Sequence, residues 1–222
     1  MNIKNPLYKN QGIHALCTIF TIDKGKVKVL LIKRKNEPYK GFWALVGGAV
    51  YNNETIDCAM KREIKEKTSI DSINIYTTNI FDRVDRSPIF RMIGVSYIGI
   101  VDSSKISIEK VTEKTENAEW FDIKDVPPLA YDGSEVLKKN LESLKELIVK
   151  TNILKNFFSN TFTIPELQMA YEIILEKKLD RRNFRKKMLN FLESENKEVK
   201  FSGNKPANLY RFKDNIDNEN VF

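Results

Sequence analysis

The chain has 222 residues, of which 41% are hydrophobic and 30% are charged. This composition provides for a folded core and leaves room for about two domains. No apolar run approaches the roughly 20 residues needed to cross a bilayer, and the N-terminus lacks the apolar stretch of a signal peptide. We therefore expect a cytoplasmic protein without a membrane partner. The two cysteines, Cys17 and Cys58, fit neither a disulfide framework nor a paired metal knuckle.

Basic residues outnumber acidic ones by 37 to 30, which gives a net charge of +7. The excess is concentrated between residues 151 and 213, where 13 basic and 7 acidic residues stand. A basic bias of this kind suits an anionic partner without proving one. Its uneven placement suggests that the two parts of the chain have different tasks.

The first 130 residues alternate strand-like and turn-like segments. The segments HALCTIFTI and VKVLLIKRK, on either side of Lys24 and Gly25, predict a β-hairpin. After the paired glycines of FWALVGG, apolar residues recur at helical spacing from Thr55 onward, which predicts an amphipathic helix. Further strands are predicted at about residues 73–81, 90–101 and 118–121. The pattern indicates a mixed sheet with helices.

The segment GGAVYNNETIDCAMKREIKEKTSI resembles the Nudix box. Seven residues stand at the family's spacing: Gly48, Glu54, Arg62, Glu63, Ile64, Glu66 and Ile70. The resemblance implies an α/β (α+β) fold, a Nudix-like α/β/α sandwich with a mixed sheet. In that family, carboxylates on one helix face hold Mg²⁺ against a nucleoside diphosphate while water attacks phosphorus. The resemblance also implies that Arg62 pairs with Glu54 and braces the loop against the helix.

Two residues depart from the family pattern. Lys67 stands where the family has a second glutamate, and Ser69 replaces the family's glycine. A lysine ammonium has no lone pair to offer a cation, and it places a positive charge about where the ion should sit. We therefore expect Glu63 and Glu66 to be weak metal ligands and the catalytic set to be vestigial. No cofactor is required, and Mg²⁺ matters only if hydrolysis survives.

A second group of cations surrounds the segment FDRVDRSPIFRMIGV. Its arginines flank a loop and enter an apolar strand, where they can hold phosphates. Alternatively, they are exposed salt-bridge partners of Asp82 and Asp85. The predicted ligand-binding residues are Arg62, Lys67, Arg83, Arg86 and Arg91.

Four other residues are notable, and none of them is assigned to a site. His14, Tyr97 and Ile98 are interpreted as core or strand residues. Trp43 is compatible both with packing beside the glycine loop and with stacking on a base.

From Gly133 the sequence becomes helical. Thr163 and Glu166 form a capping box, so a helix begins near Ile164. Asp180 then caps a second helix, expected to run to Leu192, and the segment KEVKFSGNKPANLYRF predicts a β-hairpin with Gly203 at its tip. Helix, short turn, helix and hairpin is the order of a winged helix-turn-helix. We expect domains at residues 1–132 (Nudix-like sensor), 133–158 (helical connector) and 159–213 (winged helix), with a disordered tail at 214–222.

The second helix of this unit is amphipathic. Its apolar stripe contains Phe184, Met188 and Phe191, and Arg and Asn side chains occupy the opposite face. Arg reads guanine and Asn reads adenine in the major groove, while further basic residues at the rims contact phosphates. The alternative is a solvated basic face. The predicted DNA-binding residues are Arg181, Arg182, Asn183, Arg185, Lys186 and Asn190 in the helix, with Lys205 and Asn208 in the hairpin.

The segments FTIPELQMAYEIILEKKLDRRNFRKKML and GNKPANLYRF resemble the winged helix of the Nudix-related transcriptional regulators, the NrtR family. The resemblance spans about residues 10 to 213. It implies a homodimeric regulator, expected here to be a repressor, that binds double-stranded operator DNA and senses a small phosphorylated metabolite such as ADP-ribose. It leaves open whether the regulated genes serve NAD or sugar metabolism. The other hypothesis is a Nudix hydrolase of nucleoside diphosphate derivatives such as ADP-ribose.

Overall fold

A computed structural model describes residues 10–158, 161–202 and 205–213. The N-terminal part contains β1 (Gly12–Asp23), β2 (Lys26–Arg34), β3 (Trp43–Ala44), β4 (Val46–Ala49), α1 (Ile56–Thr68), β5 (Ile75–Phe81), β6 (Met92–Ile100) and β7 (Thr115–Asp122). The C-terminal part contains α2 (Gly133–Lys150), a 3₁₀ turn (Ile153–Asn156), α3 (Ile164–Leu175), α4 (Arg181–Met188), β8 (Leu192–Ser202) and β9 (Lys205–Phe212). The expected tail at 214–222 and the expected hairpin tip at Gly203 lie outside the described residues.

Strand β1 is the centre of a seven-stranded mixed sheet. It runs parallel to β6 and antiparallel to both β2 and β4, and β5 and β7 extend the sheet on the far sides of β6 and β2. The predicted hairpin is confirmed, because β1 and β2 meet at a turn in which Lys24 and Gly25 both have positive φ.

The two faces of β1 belong to different apolar cores. Ala15, Cys17 and Ile19 are buried with the apolar stripe of α1. Leu16 and Phe20 are buried on the other face, in the core that contains the apolar residues of α2. Because successive side chains of a strand point to opposite faces, this alternation places one helix layer on each side of the sheet. The α/β/α sandwich expected from the sequence is confirmed.

The C-terminal unit has the predicted order of helix, helix and hairpin. At the start of α3, Thr163 and Glu166 form the predicted capping box, and the Asp180 side chain accepts a hydrogen bond of 2.8 Å from the Asn183 backbone at the start of α4. The apolar faces of these helices and of the wing join the core on the α2 side of the sheet. Tyr171 of α3 contributes one of the largest fully buried side chains in this core.

Helix α4 is shorter than predicted. It ends at Met188 rather than near Leu192, and the wing begins at Leu192 rather than near residue 198. The reason is packing, since Phe191 and Leu192 are buried and Leu192 pairs with Phe212 at the base of the wing. Asn190, expected on the helix, lies in the turn that follows it.

The side-chain amide of Asn140 fixes α2 on the sheet. This fully buried amide donates hydrogen bonds to Thr18 Oγ1 of β1 (2.9 Å) and to the Tyr97 carbonyl of β6 (3.3 Å). Its oxygen accepts hydrogen bonds from Thr78 of β5 (2.8 Å) and Ser96 of β6 (3.1 Å). One residue therefore ties the helix to three strands. Within the described ranges, no helix is long and apolar enough to cross a membrane.

We expect Asn140→Ala to lower the free energy of unfolding by about 1–3 kcal/mol, because buried donors and acceptors on three strands lose their partner. Urea denaturation followed by circular dichroism measures the change. Lys138→Ala, at an exposed position of the same helix, is the control and should have little effect. Equal stability of the two variants would contradict this role of Asn140.

Candidate ligand site and DNA interface

The glycine loop and α1 pack closely against each other at Gly48. This residue lies in β4 opposite Ala15 of β1, and a Cβ atom added to it would overlap the Glu63 carboxyl group. Only glycine therefore allows Glu63, which is 3% exposed, to lie directly beneath the loop. Helix α1 begins next to this loop with Thr55, whose hydroxyl caps the Cys58 backbone at 3.2 Å.

Arg62 pairs with Glu54, as the resemblance implied. Two guanidinium nitrogens lie 3.0 and 2.7 Å from the Glu54 oxygens, and one of them also donates to the Ala49 carbonyl at 3.0 Å. The guanidinium packs over the Tyr51 ring, 4.1 Å from its centroid. Hydrogen bonding to Arg62 lowers the pKa of Glu54 to about 2. The pair thus holds the loop against the helix.

Lys67 occupies the interior of the box. Its ammonium lies 3.0 Å from Glu63 Oε2 and donates a hydrogen bond to the Gly47 carbonyl. The side chain is mostly buried, and desolvation lowers its pKa, although Glu63 opposes that shift. The pKa of Glu63 is itself lowered, because nearby cations outweigh the opposing effect of its burial. The positive charge predicted at this point is therefore in contact with the carboxylate that would hold a metal ion.

Glu66 is also paired with cations. It accepts hydrogen bonds from Lys114, in the loop before β7, and from Arg62 at 3.2 Å. Lys114 also lies 3.9 Å from Glu63. The carboxylates of the box, Glu54, Glu63 and Glu66, are thus matched in number by cations.

The divalent ion implied by the Nudix box does not fit these residues. The box carboxylates are engaged by Arg62, Lys67 and Lys114 at ion-pair distances. In the part of the chain that the structure describes, no group of three His, Cys, Asp or Glu side chains is placed to hold a metal ion. A cation between Glu63 and the loop would meet the Lys67 ammonium instead of oxygen ligands.

A cavity of about 240 Å³ opens beside the glycine loop. Its lining includes three cationic side chains and, among the described residues, no carboxylate. The lining residues are His14, Arg34, Gly47, Gly48, Ala49, Lys67, Arg86, Ser87, Ile89, Phe90, Met92 and Tyr131. A cavity with cations, neighbouring backbone and apolar side chains suits an anionic ligand with an apolar or aromatic part.

The predicted arginines separate into different environments. Arg86 lines the cavity, is 5% exposed, and makes a bidentate pair with Asp132 at 2.8 and 2.9 Å. Arg83 lies outside the cavity and pairs with Asp85 at 2.8 Å, as in the alternative interpretation of the sequence. Arg91 donates to the Asp82 carbonyl and does not line the cavity either. Of the predicted ligand-binding residues, the structure brings Lys67 and Arg86 to this cavity.

Arg34 and His14 are cavity residues that the sequence analysis missed. Arg34 ends β2, donates to the Pro38 carbonyl at 2.9 Å, and lies over the Tyr131 ring with its guanidinium carbon 5.1 Å from the centroid. Burial, together with the nearby Lys67 and Arg86, lowers the pKa of His14 to about 3, so this imidazole is neutral at pH 7. Neither residue belongs to a recognisable motif, since each stands at a single position of a strand.

Packing is the observed role of three other residues considered from the sequence, Tyr97, Ile98 and Trp43. Tyr97 and Ile98 are buried, and the Tyr97 hydroxyl donates to Asp57 at 2.5 Å. Trp43 packs edge-on against Phe121 with ring centroids 4.7 Å apart, which favours its packing interpretation.

The DNA-binding residues predicted in α4 share one exposed face. Phe184 and Met188 are buried, whereas the exposed side chains of the helix are Arg181, Arg182, Asn183, Arg185 and Lys186. Asn190 and Asn208 are exposed as well, in the turn after α4 and in β9. Lys205 lies in β9, but its side chain lies outside the described residues. The helix thus presents an uninterrupted basic and amide surface to solvent.

The architecture and the box define a Nudix domain followed by a winged helix. The NUDIX domain family matches residues 12–142, and the NrtR DNA-binding winged helix domain matches residues 154–212. The chain therefore belongs to the NrtR family of Nudix-related transcriptional regulators, as the sequence resemblance indicated.

Individual relatives agree with this assignment. The chain is 30% identical over 199 residues to the ADPR responsive transcriptional repressor NtrR of Acinetobacter baylyi, an alignment that covers 87% of this chain and 79% of that protein. It is 34% identical over 126 residues to the ADP-ribose pyrophosphatase of Methanocaldococcus jannaschii, covering 57% and 73% of the two chains. The crystal structure of Shewanella oneidensis NrtR complexed with a 27mer DNA superimposes with a TM-score of 0.80 at 25% identity, covering 90% of this chain and 93% of that one.

The structure explains the glycine that the family has at the position of Ser69. This residue caps the C-terminus of α1 in the left-handed conformation, with φ 59° and ψ 17°. We expect Ser69→Gly to raise the free energy of unfolding by about 1 kcal/mol, because a Cβ atom is disfavoured there. Urea denaturation measures the change. Ser69→Ala keeps the Cβ atom and should give no comparable gain; equal stabilisation by both substitutions would contradict the explanation.

Proposed function

We propose that this protein is an ADP-ribose-responsive transcriptional repressor that binds operator DNA as a homodimer. The observation that carries the proposal is the exposed face of α4, on which arginine, lysine and asparagine side chains stand opposite a buried apolar stripe. A short helix with this surface, followed by a β-hairpin, matches the requirements of a recognition helix with its wing. The names of the Acinetobacter repressor and of the Shewanella DNA complex support the same function.

The cationic cavity supports ADP-ribose as the effector. Lys67, Arg86 and Arg34 can contact a diphosphate, and the rings of Phe90 and Tyr131 offer aromatic surface to a base or a ribose. The names of two relatives, which contain ADPR or ADP-ribose, support the same effector. The absence of a carboxylate from the described lining also favours a doubly charged ligand over a neutral sugar.

Helix α2 provides a route from the cavity to the DNA-binding unit. Asp132, the N-cap residue of this helix, holds Arg86 of the cavity. Further along the same helix, Lys145 pairs at 2.7 Å with Glu176, the residue that ends α3. A ligand that draws Arg86 away from Asp132 therefore acts on the helix that supports α3. We propose this as the coupling between effector and operator affinity.

Effector coupling can be tested with fluorescence anisotropy on the DNA upstream of the protein's own gene. We expect ADP-ribose to change operator affinity by roughly 5 to 150-fold, the usual range of allosteric coupling, and arabinose to have no effect. By reciprocity, operator DNA should change ADP-ribose affinity by the same factor. Identical operator affinity with and without ADP-ribose would contradict the sensor function.

We expect Arg182→Ala to weaken operator binding by about 1–3 kcal/mol and to relax sequence preference, because the guanidinium reads a base edge. Lys187→Ala should instead weaken specific and nonspecific DNA alike and reduce the salt dependence, because a lysine at the rim contacts phosphate. Anisotropy at several salt concentrations separates these effects, with Lys138→Ala on α2 as the control. Unchanged binding by the double variant Arg182→Ala, Lys186→Ala would contradict the assignment of α4 to the groove.

The second candidate function is hydrolysis of ADP-ribose, which the similarity to the Methanocaldococcus pyrophosphatase favours. We propose that this activity is absent, because Lys67, Arg62 and Lys114 engage the carboxylates that would hold the metal ion. We expect no release of AMP from ADP-ribose with Mg²⁺ or Mn²⁺, measured by chromatography. Steady turnover that Glu63→Gln abolishes would establish the enzyme instead.

A further inference from the structure

We infer that Lys67 is a tethered cation that takes the place of the divalent ion, so that the anionic ligand of the cavity binds without a metal. This inference rests on the proposed function, which supplies the anionic ligand of the cavity. It goes further by assigning the cation that meets the ligand and by predicting how binding depends on metal.

The Lys67 ammonium lies in the space beneath the glycine loop. Lys67 and Glu63 are one helical turn apart on α1, and the Lys67 ammonium lies between Glu63 Oε2 and the Gly47 carbonyl of β4. A metal ion held by Glu63 beneath the loop would have to occupy the same space. The ammonium places a positive charge 3.0 Å from this carboxylate, which also accepts a hydrogen bond from Arg62.

The charges of the box side chains are balanced. Three carboxylates of the box face three cations, because Glu54 pairs with Arg62 and Glu66 pairs with Lys114. The buried Glu63 pairs with Lys67 and also with Arg62. A buried carboxylate without a counter-charge is costly, which makes Lys67 part of the folded site and not an accidental neighbour. A divalent ion added to this set would bring two positive charges to carboxylates that are already neutralised.

Lys67 belongs both to the box and to the cavity lining. Its side chain contacts Glu63 and also lines the cavity with Arg34 and Arg86. An ammonium has three donors. Among the described residues, the Lys67 ammonium donates a hydrogen bond to the Gly47 carbonyl and forms an ion pair with Glu63. A remaining donor can bond a phosphate oxygen. An ammonium contributes charge and a hydrogen bond, but it does not lower the pKa of a bound water as a metal ion does, so the ligand is held without being cleaved.

Calorimetry on the full chain with ADP-ribose as the probe tests the dependence on metal. We expect the wild type to bind with the same dissociation constant in EDTA and in Mg²⁺. Lys67→Gln should bind roughly tenfold more weakly in both, because one charged hydrogen bond is lost. Lys67→Arg keeps the charge and should still bind in EDTA. Wild-type binding that requires Mg²⁺, or full affinity in Lys67→Gln, would overturn the inference.

A second measurement does not depend on ADP-ribose. Mn²⁺ is titrated into each protein, and electron paramagnetic resonance reports the free ion. We expect the double variant Lys67→Glu, Ser69→Gly to bind one more Mn²⁺ than the wild type. Lys61→Glu makes the same charge change at an exposed position of α1 and is the matched control, which should bind no more than the wild type. Circular dichroism confirms that each variant is folded.

The outcomes separate this inference from the proposed function. If no protein binds ADP-ribose, the proposed effector is wrong, and the Mn²⁺ titration alone decides the role of Lys67. If the wild type binds ADP-ribose only with Mg²⁺, the effector stands and the tethered cation is wrong. A Mn²⁺ ion bound at the box in the wild type and released by Glu63→Gln would also overturn the inference.

Discussion

The contact between Asn140 and three strands of the sheet determines where helix α2 lies, and the remaining functional geometry depends on that helix. Its N-terminus supplies Asp132, which holds Arg86 at the cavity. Its distal half supplies Lys145, which holds the end of α3. A buried amide suits this purpose because all its hydrogen bonds form at only one position of the helix on the sheet. A shift of the helix would break several of these bonds together. An apolar residue at the same position would fill the space without fixing the register.

The chemistry of the box is that of a binding site whose charges are internally neutralised. In a hydrolase of this architecture, clustered carboxylates remain available for an external ion, and the ion would polarise the phosphate and activate the attacking water. In this chain the same carboxylates are bound by side chains of the protein, two of them from α1 itself and one from the loop before β7. These ion pairs hold the loop and the helix together. Such a site can retain its shape and its affinity for an anion while the rate of cleavage falls.

Features that depend on residues close together in the sequence were predicted, whereas features that depend on residues far apart in the sequence were missed. The amphipathic α1 and the caps at Thr163 and Asp180 are encoded within a few residues, and all were predicted. The Arg62–Glu54 pair was implied by the family resemblance. Other partners at the cavity and the box are remote in sequence: Arg86 meets Asp132 across 46 positions, and Lys114 meets Glu66 across 48. No local pattern marks such pairs, and Arg34 looked like the ordinary end of a strand. The end of α4 was missed for the same reason, since pairing with β9 at the base of the wing terminates it.

The apolar core on the α2 side of the sheet continues without interruption into α3, α4 and the wing. In evolutionary terms, this winged helix is not a module that recombination can move by itself. Transferred onto another Nudix domain, α3 would lose the surface of α2 on which it packs. A functional exchange must carry α2 with the DNA-binding unit, and α2 in turn requires a sheet with partners for its buried amide. The Nudix domain and the winged helix are therefore expected to evolve as one unit. Sequence changes should be concentrated in the cavity lining and on the exposed face of α4.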